Sequence, residues 1–252
     1  MIKQMVTSAL IAGFAAGLLA ALLHFAFVQK LILLGEEYES GALVHFGASG
    51  TRMSHDQATP QPAAPAQPEA AAEPSDHGAD GHHHEATDED PTTRNLLTSL
   101  FFGVTYVAYG LILVAGFNLA TSLGKTIDLR VGLLWGLAGF AAFQLAPALG
   151  LPPELPGTIA ADLRERQIWW LGTALATGGG LALIAYGRGA LAIAAGIALL
   201  AAPHVIGAPE LDGYFGVAPP EVASAFAART LGIGLIVWAF LGGLAGRLWQ
   251  AK

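Results

Sequence analysis

The sequence predicts an all-α, polytopic membrane helical bundle of about six transmembrane helices. Three observations predict it. The 252-residue chain is 54% hydrophobic and 12% charged, about half the charge of a soluble domain. Six runs of roughly 20 mostly apolar residues are each long enough to cross a hydrocarbon core. Acids, histidines and most prolines gather between those runs rather than inside them. The chain has no cysteine, which excludes disulfides, thiolate metal sites, iron–sulfur clusters and thiol catalysis. A net charge of −7 argues against nucleic acid as a partner.

The elements follow in chain order. Residues 1–34 hold the first span, Met5–Val28, behind Lys3. Its end reads His24-Phe25-Ala26-Phe27 and offers no small-x-small cleavage site, so it is expected to stay as a helix rather than leave as a signal peptide. Residues 35–94 change character. Their centre, "ATPQPAAPAQPEAAAEPSD", is rich in proline and alanine, and the following "HGADGHHHEATDEDP" is acidic and histidine-rich. Such a stretch cannot bury enough apolar surface to offset its ordering entropy, so it is expected to be disordered. Residues 95–252 supply about five more spans: Leu96–Leu119, Val131–Leu149, Ile168–Tyr186, Ala190–Ile206 and Ala228–Ala245. The fifth of the six is the shortest; five spans is the alternative count if it tilts or re-enters.

Six spans put both ends on one side. That side takes Lys3, Lys125, Arg130, Arg188, Arg247 and Lys252 in very short loops. Such a cluster near helix ends favours cytoplasmic termini. The opposite side takes eighteen of the nineteen acids and all eight histidines, with His24 at its interface. Six cations against eighteen acids leave about −12 there, and the inner side carries about +5. Such a field concentrates cations before any specific ligand acts.

Two segments echo each other. Span three ends "APALGLPPELPG" (146–157) and span five ends "APHVIGAPELDG" (202–213). Each is followed by a polar linker, an arginine (Arg166, Arg229) and a span ending Gly-Arg. The pattern reads as a two-helix unit used twice, an arrangement in which transporters place their pathway between the repeats. Pro147 and Pro203 would loosen the last helical turns, and Gly150 and Gly207 would let the chain turn back. The expected result is two outer mouths, one with Glu154, the other with His204, Glu210 and Asp212. Gly13/Gly17, Gly132/Gly136 and Gly242/Gly246 are spaced for close helix packing. Trp169, Trp170 and Trp249 stand where interfacial anchors belong. Gln144 and Asn118 are polar within apolar runs and could bridge helices or line a path.

The stretches "LLWGLAGFAAFQLAPALGLPPELPG", "RQIWWLGTALATGGGLAL" and "PHVIGAPE" closely resemble the CbtA family, the larger membrane subunit of a bacterial cobalt transporter. The resemblance covers span one and most of 96–247; the proline-rich insert looks local to this chain. It implies cobalt uptake across the bacterial inner membrane, with the histidine-rich loop periplasmic. It also implies a small single-span partner of the CbtB type. Families of this kind are described with five or so spans, against six counted here.

Imidazole with carboxylate and no thiolate suits Co(II), Ni(II) or Zn(II). The expected metal-ligating residues are His204, Glu210, Asp212, Glu154, His24, His77, His82, His83 and His84. His82–His84 with His77 read either as a loose collecting tail or as a solvated tract with incidental metal affinity. His204 reads as a pathway ligand or a helix-terminal hydrogen-bonding group, and His24 as a ligand or an interfacial side chain. Glu36, Glu37, Glu39 and His45 are expected to form a hydrated surface turn. No enzyme, no catalytic residues and no required cofactor are predicted. The chain carries no G-x-x-x-x-G-K-[ST] loop for ATP, and no expected span contains Asp or Glu. The expected partners are the bilayer, a divalent metal ion, the small subunit and, in one reading, further copies of this chain. The alternatives are a non-transporting scaffold or metal-delivery protein, and a haem or quinone oxidoreductase.

Overall fold

The structure, a computed structural model, describes residues 2–45, 90–213 and 215–250. Among these it is helical, with one isolated antiparallel bridge between Thr158 and Gly216. Helices α1 (Ile2–Phe27), α2 (Gln29–Glu39), α3 (Pro91–Ser122) and α4 (Leu129–Phe140) come first. A π-helical turn (Ala141–Leu145) and a short α5 (Ala146–Ala148) complete the third span. Helices α6 (Leu163–Tyr186), α7 (Gly189–Ile206) and α8 (Pro220–Gln250) follow. Among the described residues six helical stretches are long and apolar enough to cross a membrane, the shortest being the 18-residue Gly189–Ile206.

Local chemistry explains the boundaries. Asp128 Oδ1 accepts from the Val131 amide at 2.8 Å and starts α4. Asp162 Oδ1 accepts from the Arg164 and Glu165 amides and starts α6. Such a cap is worth about 1 kcal/mol. Pro91 opens α3 in its first turn, where a missing N–H costs nothing. Pro147 cannot donate to the Phe143 carbonyl, and its ring crowds that oxygen. The preceding turn widens, and the Ala146 amide reaches back five residues to Ala141.

The hydrated turn expected after span one is corrected. The helix breaks at Val28 and resumes as α2, so Glu36, Glu37 and Glu39 are helical. At the break, Arg229 Nη1 donates to the Phe27 carbonyl at 3.0 Å.

Packing runs in pairs: α1 on α3, α4 on α8, and α6 on α7, with α8 also against α1. Lipid is as apolar as leucine, so close van der Waals contact, not water exclusion, holds such pairs together. The glycine pairs supply it. A Cβ on Gly132 would stand 2.4 Å from the Gly242 carbonyl oxygen, and one on Gly246 would stand 2.9 Å from Gly132 Cα. Gly17 meets Gly103 in the same way, 2.7 Å from its Cα. The core centres on Trp238, Phe117, Leu241 and Val237. Among the described residues, α7 packs helix to helix on α6 alone.

Candidate functional site

The two proline-bearing ends emerge on the same face of the bundle, and their loops pair. The Ile159 amide donates to the Phe215 carbonyl at 3.3 Å, beside the Thr158–Gly216 bridge. The spacing from Ile159 to Phe215 equals that from Glu154 to Glu210, so equivalent positions just beyond the two echo segments meet antiparallel. Gly207 has φ +88°, a left-handed turn that suits glycine. Gly150 lies in the turn that ends its span, as expected, but without a positive φ. It serves close approach instead: a Cβ there would lie 2.7 Å from both Ala208 Cβ and Trp169.

The pairing creates one cavity of about 560 Å³ where two mouths were expected. Glu154, Glu210 and His45 line it, with Arg166, Thr158 and Ser224. Arg166 Nη2 donates to Glu154 Oε2 at 2.6 Å. Both side chains keep some exposure, so this charge-assisted bond directs more than it stabilises. Glu210 is exposed. Beneath the cavity Leu155 is buried with Val28 and Phe226, and Leu31 and Ile32 pack against them. That apolar seat fixes the first loop on α2 and α8.

The structure separates other predicted ligands. Asp212 is exposed on the same loop but does not line the cavity. His204 is exposed and lies edge-on to Trp169, with ring centroids 6.2 Å apart. It borders a different groove with Thr177, Leu145 and Leu200, so it does not share the cavity of Glu210. Trp169 does more than anchor: its Nε1 donates to the Pro203 carbonyl at 3.3 Å, tying the start of α6 to the end of α7. His24 borders a third cavity, of about 720 Å³, with Gln29, Glu36 and Arg94. There Arg94 Nη1 stands 3.6 Å from Glu36 Oε2, and Gln29 Nε2 donates to Asn95 at 2.9 Å. His77, His82, His83 and His84 lie outside the described residues.

Among the described residues no three His, Asp or Glu side chains gather closely enough to hold a metal ion. The cavity is therefore a wide carboxylate-bearing vestibule, not a closed coordination cage. Deeper in the bundle, Gln144 Oε1, Thr173 Oγ1, Thr177 Oγ1 and Thr230 Oγ1 are buried without a hydrogen-bond partner. Gln144 sits on the π-helical turn, and its oxygen occupies the space a Cβ on Gly234 would need. All four are uncharged oxygen acceptors.

Sequence reasoning missed two features of the vestibule: the Glu154–Arg166 pair and the lining of one cavity by His45 together with Glu154 and Glu210. The first spans a proline-rich turn with no helical register. The second joins residues from loops far apart in sequence. Neither leaves a local signal.

No curated protein and no solved structure matches the chain. The family model described as "Probable cobalt transporter subunit (CbtA)" matches residues 2–250, nearly the whole chain, and the chain belongs to the CbtA family.

Proposed function

We propose that this chain is the membrane subunit through which Co(II) is taken up. In this reading the vestibule faces the periplasm and both termini lie in the cytoplasm of a bacterial inner membrane. The observation that carries it is the delivery of Glu154 and Glu210, one from each echo loop, to a single vestibule. A divalent ion drawn there by the acidic face loses part of its water to carboxylate oxygen. Arg166 holds Glu154 until the ion competes for it. His45 adds a borderline nitrogen ligand suited to Co(II) over Mg(II) or Ca(II). Ni(II) and Zn(II) suit the same donor set. Gln144 and the three threonines supply neutral oxygen further along. His77 and His82–His84 act as collectors ahead of the vestibule, and a small single-span subunit completes the transporter.

The test is radiolabelled cobalt uptake in cells lacking other cobalt importers. Glu154→Gln with Glu210→Gln should raise the half-saturating concentration at least about tenfold, the effect of losing two ligand charges, with membrane insertion unchanged. Unaltered uptake would remove the vestibule from the pathway. Because His204 borders a separate groove, His204→Ala should disturb uptake less than the double carboxylate change. A scaffold that only holds metal predicts binding without accumulation, and cobalt flux into proteoliposomes separates the two. His24 and His204 border different cavities, which gives no support to a haem held between paired histidines.

A further inference from the structure

Toward the end of the bundle where α3 finishes and α4 begins, a groove of about 470 Å³ runs over α4 between α3 and α6. Leu134 and Ala138 form its floor, Ile112 one wall, and Leu181 and Ala185 the other. Its length is informative. Along α4 and the π-helical turn it extends from Val131 to Phe143, twelve steps at about 1.5 Å each, or roughly 18 Å. That is little more than half of a hydrocarbon core about 30 Å thick. It stops where α6 meets the π-helical turn, at Ala142 and Gly178; a Cβ on Gly178 would touch Ala142 Cβ at 4.0 Å. A transmembrane helix would need a furrow of nearly twice that length. A strongly polar ligand would need polar walls. A chain from a single leaflet fits the length and the lining.

The mouth has the chemistry of a headgroup site. Lys125 Nζ stands over the Tyr186 ring, 5.8 Å from its centroid. Trp135 Nε1 donates to the Tyr186 hydroxyl at 2.8 Å, and Thr126 lies beside them. Among the described residues the acid nearest the mouth in sequence, Asp128, is occupied in capping α4. Lys125 belongs to neither of the ion pairs found among the described residues.

We propose that this groove holds one acyl chain of an anionic glycerophospholipid from the adjoining leaflet, with its phosphate on Lys125. The site is independent of metal uptake. Its test is native mass spectrometry of the full-length chain, purified in detergent and mixed with phosphatidylglycerol or phosphatidylcholine. Wild type should retain phosphatidylglycerol about fivefold better, the preference expected from one basic residue at a membrane surface. Lys125→Gln should abolish that preference. Ala138→Phe, which fills the floor of the groove, should reduce retention of both lipids. Equal retention of the two lipids by wild type, or undiminished binding by Ala138→Phe, would overturn the proposal. Thermal melts matched to wild type would tie these losses to the site itself.

Discussion

Gly136→Ala should weaken the bundle far more than the same change at Gly243 on the partner helix. A Cβ at Gly136 would lie 2.2 Å from the Trp238 carbonyl oxygen and 3.0 Å from Gly242 Cα. Ordinary contact begins near 3.4 Å, so α4 and α8 must part locally by about 1.2 Å. A gap of 0.5–1 Å already forfeits a quarter to a half of each dispersion contact. No water-driven term compensates for it within lipid. Overpacking of this kind costs about 1–3 kcal/mol, and with backbone atoms as the obstacle about 2 kcal/mol is expected. At Gly243 no atom lies within 4 Å of the added carbon. There alanine should be neutral or stabilise by up to about 1 kcal/mol through helix propensity. Reversible unfolding in mixed micelles with increasing dodecyl sulfate reads both, because Trp238 at the crossing reports by fluorescence. If Gly136→Ala proved no less stable than Gly243→Ala, close approach of α4 and α8 would not be what holds the centre.

Three further outcomes are expected. Arg166→Gln should cost less than about 1 kcal/mol, since both members of its pair are partly exposed. In cobalt uptake it should lower the half-saturating concentration by freeing Glu154; a higher value would mean that Arg166 positions the carboxylate productively. Trp169→Phe should destabilise by about 0.5–1 kcal/mol in the same unfolding assay. The low figure reflects the Gly207 amide, which also donates to the Pro203 carbonyl, at 3.0 Å, and stays to satisfy it. Deleting Thr59–Asp90 should raise the half-saturating cobalt concentration and leave the maximal rate nearly intact; complete loss of uptake would show that this stretch does more than collect ions.

Much of the architecture was legible because the bilayer imposes a length rule. Six apolar runs and their order follow from hydropathy alone. The disturbed helix at Pro147 follows from the missing N–H, although the form it takes, a π-helical turn, does not. The spacing of Gly132/Gly136 and Gly242/Gly246 announced close packing, while their choice of each other as partners came only with the fold. The vestibule was half legible. The echo of Glu154 and Glu210 pointed to equivalent positions, but two separate mouths were expected, because nothing local says that the loops pair. His204 was grouped with Glu210 by sequence proximity. The helical end at Ile206 and the turn at Gly207 send the two residues to different surfaces. Helix α2 was missed because its acids outweigh its apolar face, and its support comes from Leu155 and Phe226 across the fold.

The central contact also bears on biosynthesis. Helix α8 completes the core against α1, α3 and α4, yet it leaves the ribosome after all three of them. The α6–α7 hairpin can settle as soon as both arms have inserted. Helix α4 must instead wait about a hundred residues for its mate, its glycine stripe meanwhile facing lipid. A premature stop ahead of Ala228 would thus spare every earlier insertion event and still leave the interior unbuilt. The cell's membrane proteases would meet such a product as a set of inserted but unassembled helices.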